Sequence, residues 1–133
     1  MGGEVTDPIA AFILARVADE ERDARAATDG PWHTKPDADE HLLVVGDGVG
    51  IVVGRDGDSV TEDGDARHIA RQDPPSTLSR CTALRPLVEL CDTEHDPTGP
   101  PVPMDCIGQA EVLRHLAAIW RDHEDYDPSW AVA

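Results

Sequence analysis

Ile9, Phe12, Ile13 and Val17 recur at the three- and four-residue spacing of one helical face, and Glu20, Ala24 and Ala27 continue the line more weakly. Asp7-Pro8 supplies the start of this helix, because Asp can cap free amides and Pro fits the first helical position. Asp29-Gly30-Pro31 is a turn that a helix cannot cross, so the pattern predicts a helix ending near Thr28. His41-Leu42-Leu43-Val44-Val45 and Ile51-Val52-Val53 are apolar, β-branched-rich runs on either side of Gly46-Asp47-Gly48. They predict a hairpin over about 41–53, with Trp32-His33-Thr34 as a third strand. The stretch from Arg55 to Asp65 is polar and rich in Gly and Asp, which predicts a mobile acidic loop. Helical character returns at Ala66–Gln72, stops at Asp73-Pro74-Pro75 and resumes from Ser76 to about Leu90. Leu78, Cys81, Leu84, Val88 and Cys91 share one face of that segment, which Pro86 should bend. A last helix is predicted over Gly108–Arg121, with Val112, Leu113, Leu116 and Ile119 at helical spacing. The sum is an α+β fold: a long N-terminal helix, a small antiparallel sheet, then helices packed on one face.

A length of 133 residues, with 40% hydrophobic, predicts a single domain over 1–133, with frayed ends at 1–5 and 131–133. Aromatic residues are few (Phe12, Trp32, Trp120, Tyr126 and Trp130), so the core is expected to be aliphatic, with the Trp and Tyr rings pinning the turn and the tail onto it. No apolar run approaches the ~18 residues that span a bilayer, and no basic-then-apolar leader opens the chain. The expectation is a soluble cytoplasmic protein.

Charge sharpens this picture. The chain has 27 acidic and 11 basic residues, a formal net charge of -16, which disfavours nucleic acid and anionic membrane unless a local basic patch reverses the field. None stands out. Arg16, Arg22 and Arg25 alternate with Asp19, Glu20, Glu21 and Asp23, which reads as a solvated, ion-paired face of the first helix. The acidity therefore implies solubility first, with imitation of DNA to occupy a DNA-binding protein as the sharper alternative.

Most of the motifs that suggest chemistry do not complete it. Asp56-Gly57-Asp58 and Asp63-Gly64-Asp65 suggest calcium, but counting from Asp56 puts Val60 and Arg67 where an EF-hand needs ligands. Gly46-Asp47-Gly48-Val49-Gly50 is glycine-rich without a following helix to present amides to a phosphate. Neither a nucleophile elbow nor a separated carboxylate pair is evident, so catalytic residues are not assigned. His68 invites a role as ligand or as proton acceptor near Asp73; the plainer reading packs its ring under the Trp32 turn.

Three segments, in order along the chain, resemble one family. Asp29-Gly30-Pro31-Trp32, His68-Ile69-Ala70-Arg71-Gln72-Asp73-Pro74, and Asp122-His123-Glu124-Asp125-Tyr126 with Trp130 are similar to motifs of small uncharacterised actinobacterial proteins often linked to prophages and mobile elements. A weaker likeness connects the first two to phage early proteins of the Ead type. The resemblance implies a genomic setting and no reaction. Members of the family often carry Cys-x-x-Cys and, further on, Pro-Cys. Here Cys91 matches the first cysteine and Cys106 the last, while Glu94 and His95 stand near the missing one. Cys91, His95 and Cys106 have the ligand types for zinc, with His68, His115 or Glu94 to complete four. A Cys91–Cys106 disulfide is disfavoured in a reducing compartment. The preferred reading is an ordinary loop from Asp92 to Asp105 stiffened by Pro97, Pro100, Pro101 and Pro103, with no cofactor.

The functional expectation is a small, acidic, non-catalytic protein that binds another protein, with neither nucleic acid nor membrane as partner. The alternatives are a metal-dependent or zinc-stabilised enzyme, and a DNA mimic.

Overall fold

The structure is a computed structural model that describes residues 7–38, 41–52, 63–92 and 104–132. In chain order the elements are helix α1 (Pro8–Ala26), strands β1 (Trp32–Pro36), β2 (Leu42–Gly46) and β3 (Val49–Val52), and helices α2 (Asp63–Arg71), α3 (Pro74–Cys91) and α4 (Met104–Ala117). Short 3-10 turns follow at Ala118–Trp120 and Pro128–Trp130. The long N-terminal helix, three-stranded antiparallel sheet and later helices make the α+β fold that the pattern predicts. The chain divides into two compact units, Met1–Asp19 with Thr82–Ala133, and Glu20–Cys81.

The second unit contains the sheet, in the order β1-β2-β3. The β2–β3 turn is Asp47-Gly48, with φ of 49° and 74°. Positive φ at both central residues is the primed hairpin turn whose twist matches that of the strands, and Asp-Gly is a sequence that tolerates it. The register runs Val44 opposite Val52 and then Val45 opposite Gly50, so Ile51 is the extra residue of a bulge. Val53, which the pattern placed in the hairpin, lies outside the described residues. β1 pairs with β2 along its whole length, from Trp32 opposite Gly46 to Pro36 opposite Leu42. Val44, at the centre of β2, is fully buried, and α2 packs against β1 and β2.

Gly46 is required by what lies across from it. A Cβ there would come within 2.3 Å of Trp32 Cδ1, 2.8 Å of its Nε1 and 3.2 Å of the Asp29 carbonyl oxygen. Gly46→Ala is therefore expected to cost about 1–3 kcal/mol through overpacking. In a Trp32→Ala background the same change should cost much less, because the indole it strikes is gone. Equal costs in the two backgrounds, measured by denaturant unfolding, would show that the indole is not the obstacle.

Three helix starts differ from expectation. α4 begins at Met104, four residues before the predicted Gly108, so Met104 and Asp105 of the expected loop are helical. α2 begins at Asp63, three residues before the predicted Ala66. Asp63 and Asp65 occupy its first turn, where carboxylates favour the positive end of the helix dipole, an effect the low helix propensity of Asp-Gly-Asp conceals. The remainder of the predicted acidic loop, up to Glu62, lies outside the described residues. α3 begins at Pro74, because both prolines of Asp73-Pro74-Pro75 fit the first turn and Asp73 caps it.

In the first unit, Asp7 caps α1 as predicted: its Oδ1 accepts from the Ile9 amide at 2.7 Å and more weakly from that of Ala10 at 3.4 Å. The Asp7 amide in turn donates to Asp92 Oδ1 at 3.2 Å, just past the end of α3. Among the described residues the buried apolar positions here are Ile9, Ala10, Phe12, Ile13 and Val17 of α1, Val88 of α3, and Leu113 and Ala117 of α4. On α4 the expected face is corrected: Leu113 is buried, but Val112 (39% exposed) and, in the following turn, Ile119 (59%) face outward. Ala117 takes the inner position four residues after Leu113, one turn along the same helical face.

Candidate functional site

The Gly-Pro-Trp turn is built around Asp73. Asp73 is 5% exposed, and its two carboxylate oxygens are used in opposite directions. Oδ1 accepts from the Ser76 amide at 3.0 Å, capping α3, and Oδ2 accepts from the Trp32 amide at 3.0 Å, at the start of β1. Burial pushes this carboxyl up, but the Ser76 hydroxyl and amide, the Trp32 amide and the charge of Arg80 outweigh it and hold Asp73 below the usual carboxylate range. Trp32 is held at a second point by its Nε1, which donates to the Thr28 carbonyl at 2.9 Å. The Gly30-Pro31 bond in this turn is cis. Gly30 lies so close to Pro75 that a Cβ would sit 2.5 Å from Pro75 Cδ.

A second cluster joins α1 to the C-terminal segment within the other unit. Phe12 is 7% exposed and lies 5.9 Å from the His123 ring, 5.9 Å from Tyr126 and 5.3 Å from Trp130, centroid to centroid. Tyr126 and Trp130 meet edge-on at 5.5 Å, an arrangement that suits the charge distribution of aromatic rings. Arg16 is one turn after Phe12, with Cζ 5.5 Å from the ring centroid, a cation–π contact. Its Nη1 lies against the ring nitrogens of His123, donating to Nδ1 at 2.8 Å, and 3.6 Å from Asp125 Oδ2, while Nη2 pairs with Asp19 at 3.2 Å. His123 Nδ1 also accepts from the Asp125 amide at 3.0 Å. Arg16 Nε is buried with no hydrogen-bond partner, so this guanidinium is incompletely satisfied. Asp127 fixes the last turn by accepting from the Ser129 amide at 2.9 Å, and that amide, with the Ser129 hydroxyl, lowers its carboxyl.

These two clusters give structural content to three sequence motifs, and a match at family level covers all three. The profile of a family of unknown function, DUF6221, matches residues 6–132. The chain belongs to that family. No curated protein and no solved structure matches it.

Within this DUF6221 member, several sequence-based roles move. The solvated face expected of Arg16 and Glu21 is corrected: the Arg16 side chain is 13% exposed and Glu21 is 8% exposed. Arg22 and Arg25 do face solvent, paired with Asp23 at 3.7 Å and Glu21 at 3.6 Å. His68 is exposed on α2, and Asp73, not His68, holds the Trp32 turn. His115 is exposed and lies 3.9 Å from Glu111.

Of the proposed zinc ligands, Cys91 is half-buried at the end of α3. Glu94, His95 and the side chain of Cys106 lie outside the described residues. Among the described residues no three His, Cys, Asp or Glu side chains gather as a metal site. Cys81 is fully buried, as expected of a small apolar side chain. Cys91 carries a free thiol. Burial pushes the Cys91 thiol up. On the reading of this segment as an ordinary loop, a chelator is expected to leave the melting curve unchanged. A fall in melting temperature, with about one zinc per chain in untreated protein, would reverse that expectation.

Surface grooves among the described residues include the following two. One, of about 360 Å³, runs between the end of α4 and the C-terminal segment, with Ala118, Tyr126, Pro128, Ala131 and Val132 as its apolar lining and His115, Arg121 and Asp122 as its polar one. The other, of about 430 Å³, lies between β1, α2 and the start of α3. Among the described residues no helix is long and apolar enough to cross a membrane.

Proposed function

We propose that this is a small, acidic, non-catalytic protein of mobile-element type that acts by binding another protein. The observation that supports the reading is the groove beside α4, where five apolar residues line a concave surface of about 360 Å³ bordered by His115, Arg121 and Asp122. One wall is Tyr126, held in place by Phe12 and Trp130, so the groove is preformed and binding would order little of it. Ile119, next in the chain to the lining residue Ala118, is 59% exposed. The net charge of -16 favours a partner with a basic surface, whose apolar side chain would seat in the groove.

Ala131 is exposed and lines the groove, so Ala131→Arg should block the site without disturbing the core. A partner captured from lysate and then purified should bind the wild-type chain directly, and Ala131→Arg should weaken that binding about tenfold or more. Unchanged affinity in a variant with an unchanged melting curve would remove the groove from the reading. Failure of any captured protein to bind directly would remove the reading itself.

A further inference from the structure

We infer that the groove between β1, α2 and the start of α3 is a binding site for a small phosphorylated ligand, a mononucleotide by preference. It is separate from the groove beside α4 and does not depend on it.

The first observation is a concentration of positive charge in a chain that has little. Arg67 and Arg71 stand one turn apart on α2, both exposed and both lining this groove of about 430 Å³. In a chain with 27 acidic residues, an exposed arginine has many possible partners, yet among the described residues neither makes a hydrogen bond or ion pair. Side chains four apart on a helix lie roughly 5–6 Å from each other, so both forks can reach the oxygens of one phosphoryl group. His33 and Thr34 of β1 add a ring nitrogen and a hydroxyl to the lining.

The second observation is the indole. Trp32 also lines the groove, half-buried, and is fixed through its amide to Asp73 and through Nε1 to Thr28. A fixed aromatic wall beside two guanidinium groups suits a ligand with a flat base joined to a phosphate.

The opposing charge is Asp73, which also lines the groove. Both of its oxygens already accept, from the Ser76 and Trp32 amides, so Asp73 is satisfied without a donor from the ligand. Its single negative charge shares the groove lining with two arginines.

Size decides between a small ligand and nucleic acid. At physiological salt, fields are screened over about 8 Å, so a mononucleotide senses mainly the groove. A duplex carries a phosphate charge about every 1.7 Å of its axis and would meet the rest of a surface whose net charge is -16.

The experiment is calorimetric titration of the full chain with AMP, inorganic phosphate and adenosine, beside the double variant Arg67→Ala/Arg71→Ala and the control Arg114→Ala on α4. AMP should bind saturably, and the double variant should weaken it about tenfold or more, since charge-assisted hydrogen bonds are lost. Arg114→Ala should bind as the wild type does. Adenosine should bind far more weakly than AMP. AMP tighter than phosphate identifies the nucleotide, and equal affinities identify phosphate itself as the ligand chemistry; both support the site. Because Arg67 and Arg71 are exposed, the double variant should keep its melting curve, which separates lost binding from lost folding. No saturable binding of AMP or phosphate up to about 1 mM, or equal binding by the double variant, would overturn the proposal.

Discussion

Phe12→Ala is expected to lower stability by about 3–5 kcal/mol, the range for removing a buried Phe from a packed site. Phe12 is 7% exposed and stands at the centre of a group whose other rings come from the far end of the sequence, His123, Tyr126 and Trp130. Its loss would leave a cavity beside Tyr126 and Trp130 and remove the ring under Arg16, whose Nε already lacks a partner. A domain of this size has roughly 5–15 kcal/mol of stability in total, so the loss is a large fraction. Phe12→Leu keeps most of the volume and should cost less, about 1.5 kcal/mol or under, because it gives up the aromatic geometry but leaves little cavity. Near-ultraviolet circular dichroism should weaken in the alanine variant as Tyr126 and Trp130 lose their fixed setting. An alanine variant within about 1 kcal/mol of wild type would mean that the tail is not anchored through Phe12.

What the sequence revealed and what it concealed follow from distance along the chain. The Asp7 cap, the Asp-Gly turn and the β1–β2–β3 meander are local, and each was legible from a few neighbouring residues. The two polar clusters were not, because their partners are far apart: Asp73 is 41 residues from Trp32, and Arg16 is 107 from His123. A local charge pattern assigns Arg16 to nearby acids, and it does pair with Asp19, but that pairing does not reveal its burial. One signal did exist. Arg16 and Glu21 fall in step with Ile9, Phe12, Ile13 and Val17, so helical periodicity alone places both on the buried stripe. Reading them as surface charges gave composition priority over phase. The same preference hid Arg67 and Arg71, which lie between Asp65 and Asp73 in sequence but come beside His33 and Thr34 only when α2 packs on β1.

Asp73→Ala should cost about 2–4 kcal/mol, because one carboxylate serves two elements. Loss of a helix cap typically costs about 0.5–2 kcal/mol, and leaving the Trp32 amide without its acceptor adds about 1–3 kcal/mol. Asp73→Asn keeps one carbonyl oxygen, enough for the α3 cap or for Trp32 but not both, so it should fall between the alanine variant and wild type. The effect has a definite pH signature. The folded carboxyl lies below its ordinary value, so its charged form is favoured by folding, and the resulting stability is fully present above the unfolded value near 4. That stability is lost as pH falls through the lower, folded value. The difference between wild type and Asp73→Asn, measured by urea unfolding, should therefore be constant from about pH 7 to 5 and shrink below about pH 4. A difference that grows on acidification would require the opposite shift, and the carboxylate could then not be the acceptor that joins the Trp32 turn to α3.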